Sequence, residues 1–489
     1  MTAYPVLSVT TFLPLVGAAL VLLCGRDVLA RWIALATTLA TVAVSVPLYG
    51  QFDKASIALQ FVESSEWIPS WNISYGMGVD GISLPFIMLS TLLSILCVGV
   101  SWVAIGTRVR EFYAALLVAE TAMIGLFAAS NLFLFFIFWE LMVIPVFLLI
   151  GVWGGPARVH AAVKFLLFTL SGSVLMLVSL IALYHICGTL DFRALALAKA
   201  SLSPEQQGWL FTGFLIAFAV KVPMFPLHTW LPDAHTEAPT AGSVILAGIL
   251  LKMGAYGFLR VSLPILPDGV QFFLTPMLVI SVVAIVYGAY VTLVQTDVKR
   301  LIAFSSVSHM GFVTLGIFTL KQGGVEGAIL QMINHGIISA ALFLCVGMIY
   351  ERTHTREIKD SGGVGRVAPV YATLLALFCL AAAGIPGLNS FVGEFLIIGE
   401  AFKTQAWLGA AAVWGVALGT VYLVWLYYRM IMGRTNPGLA GLTLELNARE
   451  VATLAPLALL ALCLGLHPEW VLSYLHAPVA ELLASGVTP

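Results

Sequence analysis

The sequence predicts an all-α polytopic membrane protein of about 14 transmembrane helices, organised as two inverted repeats that each contain a broken helix. Three observations predict it. The 489-residue chain is 60% hydrophobic and only 10% charged, against about 25% charged in a soluble globular domain. Apolar runs near the roughly 20 residues that a spanning helix needs recur from end to end. The loops between them alternate between rich and poor in Lys and Arg.

Runs at 5–24 and 28–50 come first. The first lacks the basic stretch of a cleavable signal and is expected to remain as a helix. Spans at 80–105, 111–129, 131–152 and 160–187 follow. The next, at 208–230, holds Lys221 inside its apolar run, with Pro223 and Pro226 just behind. It is expected to break there, because proline removes a backbone donor and frees a carbonyl on the preceding turn. Such irregular backbone is tolerated at membrane depth only where it is buried in protein or lines a cavity. Spans at 240–262, 272–296, 300–319 and 326–351 follow. The run at 370–402 is too long for one straight crossing, and it contains AGIPGLN (383–389), a second Pro/Gly interruption. Spans at 406–432 and 450–475 close the series.

Two interrupted helices in corresponding positions of two halves mark inverted repeats and a transport site. The halves fall at 111–262 and 270–434, preceded by three helices in 1–110 and followed by one in 435–489. In that register Lys221 answers to Glu394, and Glu140 roughly to His309. Arg108, Arg110, Arg158, Lys299, Arg300, Arg352 and Arg356 fall in one set of loops; the alternate loops hold only Lys54, Arg193, Lys199, Arg260, Lys321 and Lys403. The positive-inside rule puts the first set in the cytoplasm. Both termini then lie on the periplasmic side, as an even number of spans requires.

A net charge of −1 leaves no basic footprint for nucleic acid. The six cysteines are scattered singly, without CxxC or zinc spacing, so no metal or cofactor site is expected in this chain. GMGVDG (76–81) has the GxGxxG pattern, but a dinucleotide site needs it inside a βαβ unit; here it is expected to follow a polar loop and precede a span. SGGVGR (361–366) lacks the lysine of a phosphate-binding loop and reads as a linker. FLFFIFW (133–139) reads as packing surface. His228 and His235 flank TWLPDA in an expected loop, where taking up protons or shaping the loop suits them better than binding a metal.

Glu120, Glu140, Lys221, Lys252, His309, His335 and Glu394 all fall near mid-span. A charge at the bilayer centre costs about 2.5–3.5 kcal/mol on insertion scales. A structural ion pair would explain two such residues, but not a set spread over six or seven helices. Histidine titrates near neutral pH unaided, and buried Lys and Glu are pushed towards it. The set therefore reads as sites that hold and pass protons, linked by water-filled cavities, along a path lying partly in the membrane plane. Lys164 sits nearer a span end, where snorkelling to the interface is the plainer account. A stand-alone substrate transporter would call for a substrate-sized pocket with mixed polar lining. A pure scaffold would leave the cost of these charges unexplained.

Five stretches carry a family resemblance: FFIFWELMVIP (135–145), KVPMFPLHTWLPDAHTEAPTAGSVILAGILLKMGAYG (221–257), QTDVKRLIAFSSVSHMG (295–311), NHGIISAALFL (334–344) and GIPGLNSFVGEF (384–395). Together they resemble the antiporter-like subunits of proton-pumping NADH:quinone oxidoreductase, respiratory complex I. The resemblance implies a 14-helix fold with two inverted five-helix repeats. It implies a Glu140–Lys221 pair in the first half-channel, Lys252 as the connecting lysine, His309 and His335 on the polar axis, and Glu394 as the second carboxylate. Glu120, Lys164, His228 and His235 are subsidiary candidates. It also implies that NADH, FMN, iron–sulfur clusters and quinone belong to partner subunits, and that the neighbours are other membrane subunits, especially the L and N chains, together with lipid. Glu394 stands where the L and N chains usually carry lysine, and the sequence stops at 489 without the long lateral helix of the L chain. Subunits of multi-chain Na+/H+ antiporters and membrane-bound hydrogenases share most of these motifs, and Glu394 argues against them. The expected setting is a bacterial cytoplasmic membrane.

Overall fold

The computed structural model describes residues 5–439 and 441–484; the two termini, whose side of the membrane the loop charges predict, lie outside the described residues. Helices α1 (Val6–Leu23) and α2 (Asp27–Gly50) are followed by an antiparallel hairpin of β1 (Gln60–Ile68) and β2 (Ile73–Val79). The hairpin is tied to α1 by Glu63, whose carboxylate accepts the backbone N–H of Leu7 at 2.7 Å and of Ser8 at 3.0 Å. A carboxylate is favoured at a helix N-terminus, where N–H groups lack partners. Gly76 and Gly78 lie within β2, so the first four residues of the glycine-rich motif end a strand, and Asp80 and Gly81 lead into the next helix. That strand pairs with antiparallel β1 and makes a single antiparallel bridge from Met77 to Ala129, which is not the βαβ setting that a dinucleotide site needs.

The body continues with α3 (Leu84–Ala104), α4 (Val109–Ala128), α5 (Leu132–Trp153) and α6 (Arg158–Cys187). Then come α7 (Pro204–Lys221) and α8 (Trp230–Glu237), the two pieces of the first broken span. They are followed by α9 (Thr240–Ile265), α10 (Pro267–Leu293), α11 (Val298–Phe318) and α12 (Gln322–Thr353). The second interrupted region is α13 (Pro369–Ala382) and α14 (Asn389–Thr404), after which α15 (Ala406–Ile431), α16 (Ala448–Leu466) and α17 (Glu469–Ala484) complete the described chain.

Among the described residues, 12 helices are long and apolar enough to cross a membrane. They correspond to all the expected spans except 208–230 and 370–402. Those are the two with Pro/Gly interruptions: α7 has 18 residues but a polar start, PEQQ, and neither α13 nor α14 exceeds 16 residues. The last expected span, 450–475, stops early: α16 ends at Leu466, and His467 and Pro468 separate it from α17.

Burial sorts the helices. The most apolar stretch of α12 is 100% buried and those of α9 and α11 are 94% buried, whereas that of α6 is 39% buried. A helix that is hydrophobic all round belongs in the centre. So α9, α11 and α12 form the middle of the body, and α6 faces outward. Each broken helix packs on this central group: α7 against α9, and α14 against α11 and α12.

Candidate functional site

Lys252 sits on α9 between two π-helical turns, Leu246–Leu250 and Phe258–Ser262. A π turn moves the hydrogen-bond register by one residue, and such turns occur often at functional sites. The Lys252 ammonium donates to the carbonyl of Ala247 in the first π turn and lies 2.6 Å from Nδ1 of His335 on α12. The His335 ring centroid is 5.7 Å from that of His309 on α11. His309 Nδ1 is 3.2 Å from Oε1 of Glu394 on α14, and Gln331 Nε2 donates to the same oxygen at 3.0 Å. Four expected residues from four helices thus form one chain, and none is more than 8% exposed. A cavity of about 10 Å³ lies beside it, lined by Ser305, His309, Gln331, His335, Ser339 and Ser390 among others. It has room for about one water. Three buried polar atoms at this place have no protein partner: His309 Nε2, Gln331 Oε1 and Ser339 Oγ.

The second chain break is shaped around Glu394. Gly384 has φ +71°, and a Cβ there would stand 2.7 Å from Glu394 Oε2. Both the left-handed backbone and the close approach require glycine.

The first break follows from Pro223. Without a proline N–H, the Ala219 carbonyl is left open, and Met224 N–H fills it at 2.8 Å. In an α-helix that N–H would have served Val220; the Val220 carbonyl instead accepts the Trp230 indole N–H at 2.9 Å. Lys221, the last residue of α7, donates to the Trp139 carbonyl at 3.3 Å. Its ammonium stands 4.3 Å above the Trp139 ring, a favourable cation–π position. The expected Glu140–Lys221 pair is not closed: no ion pair within 4.0 Å joins them, and Glu140 Oε1 is buried without a partner. The ammonium is taken by the residue preceding Glu140. Lys221 and Lys252 belong to tightly packed helices, since a Cβ on Gly254 would meet the Phe218 carbonyl at 2.8 Å and Lys221 Cβ at 3.0 Å.

The subsidiary candidates divide. Glu120 on α4 is fully buried with neither carboxylate oxygen partnered, and it makes no hydrogen bond to the Lys252–Glu394 chain. Lys164 does not snorkel alone: its ammonium lies 2.6 Å from Asp233, which also faces Arg300 at 3.6 Å. The expected loop setting holds for His228, which lies in the turns between α7 and α8, but not for His235. His235 lies on α8, fully buried and stacked 4.5 Å from Phe343. His228 is 2% exposed and boxed by Phe225 and Tyr287. The apolar walls of α10, α11 and α12 close over a segment whose polar sequence reads as loop.

Gln331 and Asp233 join the site without having been expected from the sequence. Gln331 is four residues before His335 on α12, hence on the same helix face, and that spacing was a usable signal. Glu237 faces Arg356 at 3.7 Å, and Arg356 also faces Asp297 at 3.2 Å. Among the described residues, no group of three or more His, Cys, Asp and Glu could hold a metal ion.

Residues 129–419 match the family described as NADH:quinone oxidoreductase/Mrp antiporter, TM. The chain is 47% identical to NADH-quinone oxidoreductase subunit M of Rhodobacter capsulatus, over 98% of this chain and 96% of the relative. The chain belongs to the subunit M family of NADH-quinone oxidoreductase, respiratory complex I. Beside subunit M, NADH-ubiquinone oxidoreductase chain 4 of Marchantia polymorpha is 41% identical over 99% of this chain and 98% of its own. A chain in the structure of respiratory complex I from Thermus thermophilus with bound NADH superposes with a TM-score of 0.89, at 30% identity, over 98% of this chain and 99% of its own. The subunit M assignment thus rests on full-length similarity in both sequence and fold.

Proposed function

We propose that this chain carries protons across the membrane as part of complex I, along Lys252, His335, His309 and Glu394, with Lys221 and Glu140 as the gate at the other end. The observation that carries the reading is the buried succession from the Lys252 ammonium to the Glu394 carboxylate, with one gap, between His335 and His309, beside a small polar cavity. A proton leaves Lys252 for His335 across their 2.6 Å contact. Water in the small polar cavity passes it on to His309, and the His309–Glu394 contact delivers it to the carboxylate. Lys221 moves between two partners, the Trp139 carbonyl and the Glu140 carboxylate. At an effective dielectric of about 20, two charges 4 Å apart interact by about 4 kcal/mol. Closing the Glu140–Lys221 pair therefore shifts proton occupancy by about a thousandfold.

Electron transfer from NADH to quinone belongs to partner subunits, whose state sets the charge at one end of this axis. The neighbours in this reading are the other membrane subunits, the L and N chains foremost. The membrane is the bacterial cytoplasmic membrane, with the Arg/Lys-rich loops inside and both termini outside. Glu120, Lys164, His228 and His235 flank the path: Lys164 with Asp233 at the basic face, the others within the body.

The test is NADH-driven proton uptake in inverted membrane vesicles carrying Lys221→Ala, with sodium/proton exchange measured in the same vesicles. Lost NADH-driven pumping in an assembled complex supports the proposal. Intact pumping with lost sodium/proton exchange overturns it in favour of an antiporter.

A further inference from the structure

A second cavity lies away from the charged axis. It is a groove of about 390 Å³ between α2, α3, α12, α16 and α17, in the size range of ligand pockets. Its walls include Val42, Leu92, Ile333, Ile337, Leu460 and Leu464. It runs from Leu84 at the start of α3 to Leu92, eight residues or about 12 Å of helix. Its mouth is different in kind. Tyr49 and Trp470 line the rim and are about half exposed, as aromatic side chains at a membrane–water interface are. The exposed Lys54 stands there too, its ammonium 4.3 Å above the Tyr474 ring and 3.0 Å from Ser473 Oγ.

We infer that this groove holds an acyl chain of an anionic phospholipid, with Lys54 facing its phosphate. The hydrocarbon fits a wall without charge, and the ammonium at the interface complements a negative headgroup. Val46 on α2 and Leu459 on α16 point outward beside the groove and are more than half exposed, so lipid has direct access. The inner wall matters for function. Leu89 lines the groove, and its side chain presses on Gly336: a Cβ there would be 2.7 Å from Leu89 Cδ2 and 3.6 Å from Lys252 Cε. One leucine therefore separates the groove from the Lys252 stem. An acyl chain in the groove backs that leucine and keeps water away from the Lys252–His335 contact. The binding site stands on the groove alone; the sealing role rests on the proton-path reading.

The test uses the assembled complex in its native membrane. Phosphatidylglycerol or phosphatidylcholine with a photoreactive group in one chain is added, activated, and mapped by peptide mass spectrometry. The expected result is dense labelling of Met88, Leu92 or Ile337, with a preference for phosphatidylglycerol of about fivefold, as one interfacial lysine confers. Lys54→Gln removes the preference, and Leu92→Trp, which fills the groove, removes the label. Labelling no denser than on the outward face of α6, equal labelling by both lipids, or cross-links to a helix of another subunit would each overturn the site. The seal is read separately, as passive proton leak in vesicles carrying Met88→Asp, which draws water into the groove. A several-fold rise supports the seal, and an unchanged leak refutes it without touching the labelling result.

Discussion

Lys252 shows why the residue scale decides function here. Its ammonium has one backbone acceptor, Ala247, and one titratable neighbour, His335. Methionine keeps the stem and removes the proton. Lys252→Met is therefore expected to leave the complex assembled while NADH-driven proton uptake falls by about a hundredfold, the low end for a positioned proton-transfer group; unchanged uptake in vesicles would remove Lys252 from the path. A different residue governs pH response outside the spans. His476 on α17 donates from Nδ1 to the Glu326 carboxylate at 3.0 Å and faces Glu469 at 3.6 Å. The hydrogen bond to Glu326, then the charges of Glu326 and Glu469, raise its pKa above the usual 6.5. A raised histidine pKa stabilises the fold below about pH 6.5 and loses that stabilisation as pH climbs through the folded-state value. The side chain is 48% exposed, so the effect is under about 1 kcal/mol. Hydrogen exchange of α17, corrected for intrinsic rates, should show stronger protection at pH 6 than at pH 9, and His476→Gln should flatten the difference.

At the scale of elements, the two chain breaks were legible because proline and glycine act locally. Pro223 removes one N–H, and everything around Lys221 follows from where the freed carbonyls go. The hairpin was not legible. β1 reads QFVESSEWI, with polar and exposed positions on both faces, and its ladder has two irregularities, so no alternation announces a strand. The π turns beside Lys252 were hidden too: the first packs against α3 and α12 and the second against α7 and α10, contacts that no local propensity announces. Gly384 offers an element-scale test. Alanine there meets a left-handed backbone, costing about 1–2 kcal/mol, and its methyl group pushes on the Glu394 carboxylate. Gly384→Ala should therefore lower proton pumping more than it lowers the amount of assembled complex on native gels; equal losses would show that the glycine serves only the turn.

Across the whole molecule, composition made the twelve uninterrupted helices readable, while the pairings between distant elements were invisible in one dimension. Lys164 and Asp233 are 69 positions apart, and Arg356 reaches Thr236 across 120. That arginine joins the loop after α12 to both α8 and the start of α11, through Glu237 and Asp297. Removing one partner of a buried pair costs about 3–5 kcal/mol, and 23% side-chain exposure puts Arg356 at the low end. Arg356→Met is expected to lower the melting temperature of the complex, and Arg356→Lys to restore little of it, since lysine lacks the planar fork. A melting temperature equal to wild type would show that the loop is held by its apolar contacts alone.

Burial of α12 on every side also bears on how the protein is made. The helix leaves the ribosome before α14, α16 and α17 exist, and chains are built N-terminus first. Its 32 residues, about 48 Å long, then sit in the bilayer with Gln331 lacking Glu394 and Glu326 lacking His476, partners that arrive later. A chain stopped after Thr353 would expose those side chains to lipid and present a clear mark for membrane quality control. Its half-life in pulse–chase labelling should be far shorter than that of a chain stopped after Leu466, which has already received α14 and α16.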